Sequence, residues 1–206
     1  AMLEQAGAIV EELSLPMTDY GVAAYYLLAC AQASSNLARF DGVKYGMRAR
    51  EEQLHAMYRE SRSRGFGEEV KRRVLLGAFV LSEGYYDAYY LKALKARRKI
   101  KEDFEQAFRK YDCLLTPTAP ATAPKLGVGL TDPMQMYLSD ATTVAVNLAG
   151  LPAISVPCGF NTKGLPIGVQ FIGNAFCEET LFIVGSAYET MRGTFPSPTS
   201  ETEGRR

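Results

Sequence analysis

Ala153-Ile154-Ser155-Val156-Pro157 and Ile167-Gly168-Val169-Gln170-Phe171-Ile172, with Asn161-Thr162-Lys163-Gly164 between them, decide the fold. Both runs are rich in β-branched and aromatic residues, and an Asn-to-Gly turn between two such runs predicts a hairpin. Upstream, Asp112-Cys113-Leu114-Leu115-Thr116 reads as a third short strand. It runs into Pro117-Thr118-Ala119-Pro120-Ala121-Thr122-Ala123-Pro124, whose prolines exclude helix and central strand and leave an extended loop. At the start of the chain, residues 1–7 read as a last helical turn closed by Gly7. Ala8-Ile9-Val10-Glu11-Glu12-Leu13 then reads as a fourth strand ending before Pro16, as if the sequence entered partway through an α-then-β unit. The four runs carry apolar residues on both faces, which suits central strands.

Helices surround these runs. From about 21 to 40, Ala23, Ala24, Leu27, Leu28, Ala31 and Leu37 recur at helical spacing, a pattern of close helix packing. A Gly-rich turn follows at 40–46, then a charged helix near 51–63 ending at Gly65. Gly67 opens the next helix with Glu68 and Glu69 in its first turn, where the helix dipole favours them. Helix dominates from there to about Lys110. Asp132 is placed as an N-cap and Pro133 at the first position of a helix running through Tyr137, Asp140, Val144 and Leu148 to Gly150. A last helix spans about 178–191, and the fold class is α/β.

Several functions are excluded by composition. Lys+Arg and Asp+Glu are 23 each, so no overall field draws polyanions. Residues 85–110 mix Tyr85, Tyr86, Tyr89, Tyr90, Phe104 and Phe108 with eight Lys and Arg, which packing with snorkelling cations explains better than a nucleic-acid stripe. No apolar run has the roughly 18 residues of a membrane span, and the default compartment is the cytoplasm. Cys30, Cys113, Cys158 and Cys177 form no C-x-x-C pair and read as reduced thiols. The single histidine, His55, reads as a solvated helix residue rather than a member of a catalytic triad.

Four stretches resemble the amidase signature family: Ala33-Ser34-Ser35-Asn36-Leu37-Ala38-Arg39-Phe40-Asp41-Gly42, Phe66-Gly67-Glu68-Glu69-Val70-Lys71-Arg72-Arg73, Gly84-Tyr85-Tyr86-Asp87-Ala88-Tyr89-Tyr90 and Asn147-Leu148-Ala149-Gly150-Leu151-Pro152. The last of these and residues 164–173 recur widely in that family. The Asn36–Gly42 and Gly84–Tyr90 stretches point within it to the C-terminal part of the A subunits of glutamyl-tRNA(Gln) amidotransferases. The resemblance runs from about residue 3 to residue 192. It implies the C-terminal half of the amidase signature fold, a mixed β-sheet covered by helices, with 1–192 as that portion and 193–206 as a disordered tail. The family's Ser nucleophile, second Ser, Lys and Gly/Ser-rich oxyanion loop lie in its N-terminal half. This chain has no Gly-Gly-Ser-Ser stretch, and Ser34-Ser35 lies in a helix among alanines, so the expectation is a fragment without the catalytic half.

The resemblance further implies a protein that hydrolyses glutamine and passes ammonia to a B subunit, with a small C subunit bridging the two. ATP and magnesium belong to the B subunit, none to this chain, and tRNA is reached only through the complex. A glutaminase must fix an α-ammonium and an α-carboxylate. By resemblance, Asp140 accepts the ammonium, Arg73 pairs with the carboxylate and Tyr25, or its neighbour Tyr26, hydrogen-bonds to the substrate. Read on their own, Arg73 belongs to a solvated charge run, Tyr25 to core packing and Asp140 to an otherwise apolar helix where a carboxylate needs a partner. Two further readings stay open: a part of another amidase signature hydrolase, or a non-catalytic binding or scaffold protein derived from one. A fragment would also expose strand edges and self-associate.

The chain alone is therefore expected to release no ammonia from glutamine or asparagine above the buffer blank, because binding groups without nucleophile and oxyanion site leave almost no rate enhancement. Sustained turnover in a repurified sample would contradict the fragment reading.

Overall fold

In a computed structural model, residues 2–127 and 137–196 are described. The elements are α1 (Met2–Gln5), a 3-10 turn (Pro16–Tyr20), α2 (Gly21–Leu37), α3 (Leu54–Gly65), α4 (Glu68–Val80), a π-helical turn (Tyr86–Tyr90), α5 (Leu91–Ala107), β1 (Cys113–Pro117), α6 (Ala141–Ala149), β2 (Ala153–Phe160), β3 (Pro166–Gly173) and α7 (Glu178–Arg192). They divide into two units, one of Ala23–Arg98 and one of Ala1–Val22 with Lys99–Arg206.

The second of these units is built on the sheet, in the order β1-β3-β2 with both pairings antiparallel. The hairpin closes as its turn residues predict. Asn161 Oδ1 accepts from the backbone N–H of Lys163 (2.8 Å) and Leu165 (3.0 Å), and Gly164 takes the left-handed φ of +76°. Pro117 and Pro157 lie on the two edge strands and Pro166 at the first position of β3, where a missing N–H costs no ladder bond in the centre. On one face of the sheet Val156, Val169 and Phe171 pack with Leu181 and Tyr188 of α7, joined by Met2 and Leu3 of α1. Gly173 admits α7 closely, since a Cβ there would meet Leu181 Cγ at 3.1 Å. Burying a side chain such as Phe171 contributes about 1.5–3 kcal/mol. Helix α6 ends at Gly150, whose φ of +74° lets its N–H bond back to Val146 and Asn147 carbonyls, so the Asn147–Pro152 stretch is a helix stop.

The helical unit depends on close approach. A Cβ on Gly77 of α4 would lie 2.0 Å from the Cys30 carbonyl oxygen of α2 and 2.7 Å from Ser34 Cβ. Ala24, Leu28, Cys30 and Ala31 of α2 are buried, as the small-residue spacing predicts. The end of α2 is held by Arg62 of α3, whose guanidinium donates to the Leu37 (3.1 Å) and Phe40 (3.2 Å) carbonyls. Buried Ser61 accepts from the Ala49 N–H (2.9 Å) and donates to the Met57 carbonyl (2.7 Å), pinning the Gly-rich loop. The Asn36–Gly42 and Phe66–Arg73 stretches are thus a helix end with its turn, and a helix start.

Two expectations need correction. Ala8–Leu13 is not a strand: it is irregular and exposed, with Ile9 89% exposed, and is tied down by Glu11, which accepts from Lys110 and from Tyr111 Oη (2.8 Å). Its β-branched residues find no strand edge to pair with among the described residues, and β propensity without a partner surface does not make a strand. Asp140 is not inside a helix either, since α6 begins one residue later, and the Asp132-Pro133 start lies outside the described residues. Of the expected tail, Phe195 stacks on Phe160 (4.5 Å between centroids) beneath Arg192, while 197–206 lie outside the described residues.

Gly77→Ala is expected to destabilise the chain by about 1–3 kcal/mol, because a methyl must displace backbone rather than a flexible side chain. Gly65→Ala, where a Cβ meets nothing within 4 Å, is expected to be neutral or slightly stabilising. Urea titrations of both variants, read by circular dichroism, check the contrast.

Candidate functional site

Tyr25 and Arg73 come together. Both are half-buried, on α2 and α4, one turn away from the Gly77 contact that brings these helices close. The Arg73 Nε donates to Glu69 Oε1 (3.0 Å), one Nη donates to Tyr25 Oη (3.5 Å), and the guanidinium lies 5.5 Å from the centre of the Tyr26 ring. Tyr26 meets Tyr25 edge to face, at 5.2 Å and 83°. The Tyr25 hydroxyl and the Glu69 carboxylate hold the Arg73 cation above its ordinary pKa against the opposing cost of partial burial. The shorter, charged bond to Glu69 is the one that fixes the orientation.

The arrangement also separates the two tyrosines. Tyr25 presents its hydroxyl to the guanidinium and Tyr26 its ring, so Tyr25 is the polar member of the pair. A guanidinium has five N–H donors in a planar fork, and the bonds to Glu69 and Tyr25 leave donors for a planar carboxylate.

Asp140 belongs to the sheet unit. Its carbonyl accepts from the N–H groups of Thr143 (3.0 Å) and Val144 (2.9 Å), so its backbone starts α6, while its exposed side chain makes no capping bond. The carboxylate is therefore not used up by the helix it precedes. Thr142 Oγ1 donates to the Thr118 carbonyl (2.6 Å), and Asn147 Nδ2 donates to the Thr143 carbonyl (2.9 Å) one turn back in α6.

Other candidates resolve as the sequence suggests. His55 is exposed at the second position of α3, and Ser34 and Ser35 lie within α2. All four cysteines are free thiols. Burial pushes the Cys113 thiol up to about 11 and that of Cys30 upward too, which makes both poor nucleophiles. Glu69, missed in the sequence, had a legible signal in its i, i+4 spacing to Arg73. Gln170 was missed as well: it is a lone amide between Val169 and Phe171, and it is 4% exposed.

Residues 1–182 match the sequence model of the family described as Amidase. The chain is 60% identical over 195 residues to the A subunit of the glutamyl-tRNA(Gln) amidotransferase of Lachnospira eligens, an alignment that covers 94% of this chain and 40% of that protein. With the corresponding protein of Desulforudis audaxviator it shares 58% identity, over 99% of this chain and 42% of the relative. The crystal structure of the Thermotoga maritima counterpart superposes with a TM-score of 0.70 at 42% identity, over 96% of this chain and 39% of that one. The chain thus spans about two fifths of the length of these relatives.

A double-mutant cycle on Glu69→Gln and Arg73→Lys is expected to give a coupling of about 0.3–0.5 kcal/mol, the worth of a partly solvated i, i+4 helix pair. Thermal or urea unfolding of the four proteins measures it. A coupling near zero would show that Glu69 does not orient the guanidinium.

Proposed function

We propose, from the premise that this chain belongs to the amidase family, that it is the glutamine-recognition portion of the A subunit of an ammonia-generating amidotransferase, working in the cytoplasm. The observation that carries this reading is the 60% identity to such a protein, sustained across 94% of the chain. In the complete enzyme, water replaces the side-chain amide of glutamine, giving glutamate and ammonia. The nucleophile, its Lys base and the oxyanion site come from the portion of the protein that this chain does not contain. Ammonia passes to a B subunit, which holds ATP and magnesium and amidates Glu-tRNA(Gln), and a small C subunit bridges the two. No cofactor binds to the present chain.

Its own residues select the free amino acid. Asp140 accepts the α-ammonium, and its carboxylate is available because the helix behind it uses only the Asp140 carbonyl. Arg73 pairs with the α-carboxylate, held by Glu69 so that its fork is already oriented when substrate arrives. Tyr25 supplies a hydroxyl at the same guanidinium and hydrogen-bonds to the substrate. These groups bind ground state and transition state alike, since neither the ammonium nor the carboxylate changes charge during hydrolysis. Their loss therefore acts on KM.

In the complete amidotransferase, Asp140→Asn is expected to raise KM for glutamine at least tenfold with kcat little changed, because the amide fills the volume but cannot neutralise an ammonium. Truncating one member of a desolvated charge pair costs about 2–5 kcal/mol. Glutamine kinetics within twofold of the parent enzyme would remove Asp140 from the site.

A further inference from the structure

Gln170 lies at the middle of β3, in register with Thr116 of β1 and Ser155 of β2, so three polar side chains form one row across the sheet. Its Nε2 donates to Thr116 Oγ1 (2.9 Å) and to the Thr142 carbonyl (3.0 Å). A carbonyl can only accept, which fixes the amide with its nitrogen toward α6. Thr142 is the second residue of α6 and stands two positions after Asp140. Its hydroxyl runs the other way, donating to the Thr118 carbonyl at 2.6 Å. Thr118 is itself fixed to the sheet, through its N–H to the Gly168 carbonyl (3.0 Å) and its Oγ1 to Ser155 Oγ (2.7 Å). Gly168 leaves room for this, since a Cβ there would sit 2.9 Å from Thr118 Oγ1.

The first turn of α6 is thus bolted to the sheet by two hydrogen bonds of opposite sense, both at Thr142. An apolar side chain at 170 would fill the same space at less desolvation cost, so the amide's contribution is positional. Among the described residues the Asp140 side chain makes no capping bond, so the placement of its carboxylate follows that of the turn after it.

We propose that Gln170 is a positioning residue for glutamine recognition, holding the α6 start, and with it Asp140, at the height where the carboxylate meets the substrate ammonium. This rests on the reading of Asp140 as the ammonium acceptor. A displacement of about 1 Å is enough to weaken such a contact severely.

The test uses the complete amidotransferase with Gln170→Met, which keeps length and loses the donor. Two quantities are measured: KM for glutamine, and the inhibition constant of glutaramate, which is glutamine without its α-ammonium. The ratio of KM to that inhibition constant is expected to rise about tenfold, with the change carried by KM rather than kcat. Thr142→Val, which removes the other bond, is expected to move the ratio the same way and decides the matter if Gln170→Met fails to fold. Equal weakening of both ligands, leaving the ratio unchanged, assigns Gln170 to general stability and overturns the proposal. Asp140→Asn separates the two layers. If it raises the ratio and Gln170→Met does not, positioning fails while the recognition reading stands. If Asp140→Asn leaves the ratio where it was, the recognition reading fails and the proposal goes with it.

Discussion

Strand β3 has a hydrogen-bonded neighbour on each edge, and everything in the sheet unit is placed relative to it. Because strand side chains alternate, Val169 and Phe171 serve the apolar cluster under α7 while Gln170, between them, belongs to the polar row that reaches α6. A slip of one residue would exchange these sets, placing an amide in the apolar cluster and a phenyl ring against Thr142. The register set at the Asn161–Gly164 turn shifts by one residue at a bulge between Pro157 and Gly159, so the turn and the bulge together fix the pairing of Gln170 with Ser155 on which the attachment of α6 depends.

In the helical unit the corresponding constraint is steric. Only a residue without a side chain lets α4 approach the Cys30 carbonyl, and that approach sets the Arg73 guanidinium beside Tyr25 and Tyr26 one turn away. Glu69, one turn before Arg73 on the same helix, selects its rotamer. Orientation of the cation thus comes from within a helix, and its choice of neighbours from packing between two helices.

What the sequence shows well is what short-range chemistry decides. The β2–β3 hairpin, the Gly7 and Gly150 helix stops and the first turn of α4 at Glu68 and Glu69 follow from residues within a few positions of one another. Ala8–Leu13 misleads because its β-branched pattern favours a strand, yet no strand edge among the described residues pairs with it. Asp140 misleads by a single residue: hydrophobic spacing on both sides of it reads as one continuous helix, whereas its carbonyl opens a new one. Of the candidate site, Tyr25 and Arg73 stand out only through family resemblance, since residue type alone favours packing and solvation for them, whereas Asp140 also stands out as a carboxylate in an otherwise apolar stretch. The attachment by Gln170 and Thr142 joins positions 28 residues apart and leaves no periodic trace.

The thiols give the two units separate reporters. Cys30 is buried in the helical unit and Cys113 lies in β1 of the sheet unit, and burial disfavours the thiolate of both. Alkylating reagents attack thiolate, so buried Cys30 reacts at the full rate of an unstructured cysteine only while its surroundings are open, whereas half-buried Cys113 is slowed rather than shut off. Mass-resolved labelling at fixed pH therefore times the opening of α2 through Cys30, while Cys113 reports accessibility at β1, in one sample and without an introduced probe.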